Sequence, residues 1–304
     1  IVDRRAGRDL RQDEAEELAR ELSQIELRGA EFEFRTTIAY RGVLVIRSED
    51  TLSAEISNTD PAYVRVRGFG AARSVKGKER VQDCKPLSKK REARRASSLV
   101  NEFLRKAGRV LSSSRVNSER KRLGKKPANI LLLRDAGDHL PSVVPFKEKY
   151  GIEGTALVEM PAEVGIARLL GMKEVIVPDH RDLAKKSELF EKELAEGTLV
   201  YAHIKGPDEF GHDGDAAGKK KNIELIDRVF FSKVVTRLSD TKVAVSCDHA
   251  TPCLLKMHSS DPVPLLITTT GRDADCCRFT EKDSRKGSLG TLNGDQVLKK
   301  VLSE

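Results

Sequence analysis

A chain of 304 residues can bury one large or two ordinary cores, and its formal net charge of +8 suits either nucleic acid or a small anionic substrate. With no Trp and only four Tyr it lacks the aromatic platforms of a single-strand binder, so nucleic acid is the disfavoured partner. No signal peptide and no apolar run of membrane-spanning length is recognisable, and five cysteines, Cys84, Cys247, Cys253, Cys276 and Cys277, show no paired metal-finger spacing; together these set the expectation of a soluble, cytoplasmic protein with reduced thiols.

The opening IVDRRAGR places Arg4, Arg5 and Arg8 within one short stretch. Guanidinium groups suit bidentate contacts with a phosphate or carboxylate, and equally a solvated surface cluster. From Gln12 to Leu27 the apolar positions Ala15, Leu18, Ala19, Leu22 and Ile25 fall on one stripe, which predicts an amphipathic helix packed on a core. Phe32 to Tyr40 and Val43 to Ile46 read as two strands broken at Arg41-Gly42. In NTDP, Asp60 before Pro61 is either a plain turn residue or a functional carboxylate.

Between Gly68 and Ser98 the chain turns basic, with KGKER and KPLSKKREARRASS, and lacks interleaved aromatics; a solvated loop entering a helix over Leu99 to Leu111 is preferred to a nucleic-acid patch. A polar helix from Arg115 to Gly124 and a strand from Ile130 to Leu133, ending at Arg134, complete this part. A second part begins at Gly151, giving domains of 1–150 and 151–304. There, strands at Gly154 to Val158, Glu174 to Val177 and Leu199 to Ile204 alternate with helices at Ala162 to Leu170, Leu183 to Ala195 and Ile223 to Leu238. That rhythm is the signature of an α/β fold with a mostly parallel sheet flanked by helices.

Chemistry concentrates between Thr198 and Pro264, which holds four of the six histidines. Asp208 and His212 are four apart, so one helical turn would put both on one face. Asp248 and His249 close the apolar run Val243 to Cys247, read as a parallel strand delivering its last residues to a cleft. His258 follows just before a second apolar run, Val263 to Ile267. Carboxylates and imidazoles on the loops after successive strands suit divalent ions, and five of them suit a two-metal hydrolytic or phosphoryl-transfer site.

In order and spacing, HIKGPDEFGHDGD, CDHATPC and HSSDPVPLLI resemble the metal-binding half of the archaeal-type cofactor-independent phosphoglycerate mutases, members of the alkaline phosphatase superfamily. IVDRRAGRDL, NTDP, VNSERKRLGKKPANILLLRDAG and GIARLLGM extend the likeness over nearly the whole chain. The resemblance implies an alkaline-phosphatase-like core in 151–304 and a smaller α/β substrate-binding insertion domain in 1–150. It implies two divalent ions, drawn from Mn, Co, Zn or Mg, one held by Asp208, His212 and His258 and one by Asp248 and His249 with residues elsewhere, and no need for 2,3-bisphosphoglycerate. It implies that 2-phosphoglycerate and 3-phosphoglycerate are interconverted through a phosphoserine, with Arg4, Arg5, Arg41, Arg134 and Asp60 binding substrate and Lys205 opposing a phosphoryl oxygen. The family's nucleophilic serine is expected upstream of Ile1, and no residue read here matches it. Val164 stands where the family generally carries a lysine, and Cys247 and Ala250 replace the usual Gly and Ser around the Asp-His pair. A phosphomonoester or phosphonate hydrolase on the same core, or an inactive relative binding phosphoglycerate or nucleic acid, are the alternatives.

Overall fold

The structure, a computed structural model, describes residues 1–304 apart from 67–68, 73–78, 178, 180, 195–196, 272–277 and 304, and the side chains of 65–66 and 69–72. Part of the basic KGKER run, positions 178 and 180 of the loop PDHRDLAKK, and Cys276 and Cys277 lie outside the described residues. The chain divides into two units, Ile1–Ser142 and Val143–Glu304.

In the first unit, helix α1 (Gln12–Leu22) opens with Glu14 reaching back to the Arg11 backbone N–H at 2.9 Å, which satisfies a donor that the helix itself cannot. It stops five residues before the expected Leu27, where the Ser23 hydroxyl turns back to the Arg20 carbonyl. Ile25 and Leu27 are nevertheless buried, so the apolar stripe marks the core correctly beyond the end of the helix. Strands β1 (Glu31–Thr36) and β2 (Gly42–Arg47) form an antiparallel hairpin from Glu31 opposite Arg47 to Thr36 opposite Gly42. Its turn occupies 37–41, closed by the Thr37 N–H on the Arg41 carbonyl at 2.9 Å, so β1 ends earlier than Tyr40. At Gly42 a Cβ would meet the Phe34 ring at 2.6 Å, which reserves the position for glycine.

A second short hairpin joins β3 (Tyr63–Val66) to β4 (Phe69–Ala72). Helix α2 (Arg91–Ser113) begins eight residues before the expected Leu99 and buries Leu99, Phe103, Ala107 and Leu111 against Leu18 and Leu22 of α1, with the Phe32 ring 4.9 Å from that of Phe103. Each fully buried side chain of this size contributes about 1.5–3 kcal/mol relative to exposure. Helix α3 (Arg115–Arg122) follows directly. The strand expected over Ile130 to Leu133 joins no ladder. Leu133 pairs instead with Thr59, whose backbone N–H donates to the Leu133 carbonyl at 2.8 Å and whose hydroxyl accepts the Leu133 N–H at 2.8 Å. A threonine side chain here stands in for a strand neighbour.

The second unit is built on a parallel sheet in the order β6 (Lys173–Ile176), β5 (Glu153–Val158), β7 (Thr198–Ala202). Ala156, Leu157 and Val158 of the central strand are buried, as a strand covered on both faces requires. Preceding it is the short helix α4 (Phe146–Tyr150). Helices α5 (Pro161–Leu169) and α6 (Leu183–Glu193) pack on the sheet. After α7 (Pro207–Asp213), the expected Ile223–Leu238 helix is a longer run, α8 (Ala216–Ile226) continuing through a π-turn at Asp227–Phe231 into α9 (Ser232–Arg237). The parallel pairing expected of Val243 to Cys247 is corrected: β8 (Lys242–Ser246) pairs antiparallel with β9 (Leu265–Thr269), as a two-stranded sheet. The intervening eighteen positions 247–264 fold back through an Ala250–Ser259 bridge, which returns the chain on the same edge and makes antiparallel pairing the short route. Among the described residues no helix is long and apolar enough to cross a membrane.

Candidate metal centre

Helix α7 is short because GPDEFGHDG starts and stops it. Gly206 takes φ +128°, and a Cβ there would lie 2.4 Å from the Asn222 side-chain oxygen. Pro207 occupies the first helical position and Gly214 ends the helix in the left-handed region. Four-residue spacing then sets Asp208 and His212 on one face, 3.5 Å apart between Oδ1 and Nε2.

His258 arrives from the loop closed by the Ala250–Ser259 bridge, its Nε2 3.5 Å from the same Asp208 oxygen and 3.2 Å from His212 Nε2. One ligand atom from each of the three lies within 4.8 Å of the others. His212 donates its Nδ1–H to the Lys256 carbonyl at 3.1 Å, which leaves the Nε2 lone pair facing the group. Burial and the neighbouring His249 imidazole push the His258 pKa below its ordinary value, favouring a neutral ring. Burial alone would raise the Asp208 carboxyl, but the Thr251 hydroxyl and the three imidazoles outweigh it and hold the pKa low. Two imidazole nitrogens and one carboxylate oxygen converging without a proton for each contact are the donor set that Zn, Mn or Co takes.

Asp248 and His249 follow β8. His249 stacks on His258 with ring centroids 3.7 Å apart, and its Nε2 lies 3.2 Å from Asp248 Oδ2 and its Nδ1 4.0 Å from Asp208 Oδ1. All five metal-ligand candidates therefore meet in one neighbourhood. The serines of these loops turn elsewhere, Ser246 to the Pro264 carbonyl and Ser259 to Asp261.

Lys205, just before α7, bonds Glu163 Oε1 at 2.7 Å, and His203 Nδ1 meets the same oxygen at 2.7 Å. The other oxygen of Glu163 accepts the backbone N–H groups of Glu159 and Met160. Burial opposes ionisation here, yet Lys205 and the two backbone donors hold the Glu163 pKa at about 2. Desolvation of its hydroxyl, and then the Glu163 and Asp248 carboxylates, raise the pKa of the half-exposed Tyr201, so this ion cluster and the Asp-His pair share a neighbour. Beneath it, fully buried Lys186 pairs with Glu159 and donates to the His203 carbonyl at 2.8 Å. Sequence spacing points to none of Glu159, Glu163, Lys186 or His203, since the partners come from separate elements; only the alternation of His203 and Lys205 along the end of β7 hints at a shared face.

The arginines belong to the first unit. Arg4 Nε donates to Asp60 Oδ1 at 3.0 Å, while its Nη2 is buried with no hydrogen-bond partner among the described residues. Asp60 also accepts the Ala62 N–H, so it fixes Arg4 and its own turn together. Thr59 and Asn58 tie this turn to Leu133 and Asp135, which brings the Arg134 guanidinium 3.9 Å over the Tyr63 ring. Arg5 lies beside Arg4, Arg8 and Lys126 in a cleft of about 370 Å³. Arg41 is exposed on the β1–β2 turn, 5.0 Å over Tyr40. Sequence reading missed Arg120, fully buried, which holds the whole opening loop through the Ala6 and Asp9 carbonyls and the Asp9 and Glu14 carboxylates.

Comparison with known proteins agrees in kind. Residues 55–303 match the Metalloenzyme superfamily. The chain is 40% identical over its full length to the 2,3-bisphosphoglycerate-independent phosphoglycerate mutase of Aeropyrum pernix, of which it covers 74%, and 37% identical over 98% of its length to that of Methanopyrus kandleri, of which it covers 69%. The solved cofactor-independent phosphoglycerate mutase of Thermoplasma acidophilum superposes with a TM-score of 0.55 at 28% identity, over all of this chain and 73% of that one. This chain, with its alkaline-phosphatase-like α/β fold, belongs to the Metalloenzyme superfamily and, within it, to the family of archaeal-type 2,3-bisphosphoglycerate-independent phosphoglycerate mutases.

Proposed function

We propose that the protein interconverts 2-phosphoglycerate and 3-phosphoglycerate by metal-assisted phosphoryl transfer through a phosphoserine, without 2,3-bisphosphoglycerate. The observation that carries this reading is the convergence of Asp208, His212 and His258 to within 4.8 Å in a chain of this family. Asp208, His212 and His258 would hold one divalent ion, and Asp248 with His249 would contribute to a second; Mn, Co, Zn and Mg all suit oxygen and imidazole donors. Bound ions supply neutralisation of phosphoryl charge and activation of a hydroxyl nucleophile.

The remaining steps fall to side chains. Lys205, kept charged beside Glu163, is assigned to oppose a phosphoryl oxygen. Arg4, Arg5, Arg41 and Arg134 are assigned to the phosphate and carboxylate of the substrate, for which a planar guanidinium offers two parallel donors. Asp60 orients Arg4 and leaves the buried Nη2 needing an acceptor that an anion would provide. In this reading 1–150 is the substrate-binding insertion domain and 151–304 the metal-binding core domain.

The test is to incubate full-length protein with 3-phosphoglycerate and Mn²⁺ or Co²⁺ and to follow 2-phosphoglycerate and free phosphate together. Formation of 2-phosphoglycerate without free phosphate is the expected result. Free phosphate as the main product would replace the mutase reading with a hydrolase on the same core.

A further inference from the structure

Between the two ligand sets lies a residue that motif spacing does not single out. Thr251 follows the Asp248-His249 pair, is 3% exposed, and places its hydroxyl between the two sets. Its Oγ1 donates to Asp208 Oδ1 at 2.6 Å and lies 3.1 Å from His249 Nδ1. A hydroxyl has one proton, and an ionised carboxylate can only accept, so that proton belongs to the Asp208 contact. Toward His249 the same oxygen can then act only as acceptor, which requires Nδ1 of His249 to carry the N–H. The opposite ring nitrogen, Nε2, faces Asp248 Oδ2 at 3.2 Å, so the hydroxyl fixes how the ring sits within the Asp248-His249 pair.

The hydroxyl is held in place from behind. A Cβ at Gly211, which lies between Asp208 and His212 on α7, would meet the Thr251 carbonyl oxygen at 2.5 Å and its Cγ2 at 2.8 Å, so helix and loop touch backbone to backbone at this point. Lys219 Nζ donates to the same carbonyl at 2.9 Å. A side chain clamped in this way has little rotamer freedom with which to satisfy only one of its two partners.

We propose that Thr251 is a positioning residue that couples the two metal-binding sets, orienting the Asp208 carboxylate in one and the His249 ring in the other. The proposal rests on the metal reading given above. Removing the hydroxyl loosens both sets at once, whereas a residue supporting a single ligand would loosen one; groups that orient metal ligands usually account for roughly 10–100-fold in affinity.

The experiment is a calorimetric Mn²⁺ titration of metal-stripped full-length protein. Thr251→Val is expected to weaken both binding events by roughly 10-fold or more, and Thr251→Ser, which keeps the hydroxyl, to stay within a few-fold of the unsubstituted protein. Should the valine variant fold poorly, Thr251→Ala, which also lacks the hydroxyl, is titrated in its place with the same expectation. Wild-type affinity at both sites in a folded Thr251→Val protein, or weakening of one site alone, would each overturn the coupling. Combined alanine substitution of Asp208, His212 and His258 separates the two readings: metal retained there removes the metal site itself, while metal lost there but kept in Thr251→Val removes only the role of Thr251.

Discussion

Arg120 in the first unit and Asp208 in the second each sit at the centre of a polar network, and the networks are built on opposite principles. Arg120 is fully buried and surrounded by acceptors, with the carbonyls of Ala6, Asp9 and Lys126 and the carboxylates of Asp9 and Glu14 all bonded to its guanidinium. That network is complete within the chain. Asp208 is half exposed and faces three imidazoles, two of which present nitrogens to one another at 3.2 Å. Such a group gains most from a cation that the chain does not itself contain. The comparison separates a region organised to hold shape from one organised to receive something.

The largest expected effect breaks the complete network. Arg120→Ala leaves the mostly buried Glu14 carboxylate and three backbone carbonyls without their donor, and breaking a largely buried pair of this kind costs about 3–5 kcal/mol. Hydrogen exchange measured through α1 and the 3–9 loop should show protection lost there. Unchanged protection would mean that the loop is held by its apolar contacts alone.

Metal withdrawal should act on the other network. Loading the site at about a hundred times its dissociation constant stabilises the folded state by about 2.7 kcal/mol, which chelation removes. The loss should appear in α7 and in 248–258 and leave the exchange of the Arg120 network unaltered. A uniform loss across both units would contradict the division drawn here.

Glu163 tests whether the ion cluster beside the metal group behaves as a fixed structural charge. Its folded pKa of about 2 lies below the ordinary 4.5, so the unfolded chain binds the proton more tightly. The stabilisation is therefore whole above pH 4.5 and is lost as pH falls through the folded value. With allowance for solvent screening this amounts to about 1–2 kcal/mol. Glu163→Gln should remove that part of the acid dependence, read as a flatter slope of unfolding free energy between pH 4.5 and 2.

These networks also mark how far sequence reasoning reaches. Alternating apolar runs gave the parallel sheet and its helices because burial on both faces of β5 leaves an uninterrupted hydrophobic stretch. GPDEFGHDG gave the one-face placement of Asp208 and His212 on α7, since Pro and Gly punctuate a helix wherever it packs. The antiparallel pairing of β8 with β9 was not legible, because an apolar run states that a strand is buried and says nothing of its neighbour's direction. Ile130 to Leu133 satisfied the same criterion yet pairs with a threonine side chain. Thr251, Glu163 and Arg120 were missed because each has a defining partner forty or more positions away.

The smallest effect sharpens the comparison from the side of the first unit. Arg134 is exposed, and its guanidinium carbon lies 3.9 Å over the Tyr63 ring while its Nε approaches Asp135 at 3.6 Å. A lysine keeps the charge but loses the planar face, so Arg134→Lys should cost about 0.5–1 kcal/mol of stability through the lost stacking. Tyr63→Leu should cost a similar amount, and the double variant should cost less than the sum, because the two single changes remove one contact. If Arg134 also grips substrate, Arg134→Lys lowers phosphoglycerate affinity, whereas Tyr63→Leu does so only as far as stacking holds the guanidinium in place. Denaturant unfolding and phosphoglycerate titration on the same three variants separate these terms. Additive stability losses would show that Arg134 and Tyr63 are neighbours without being partners.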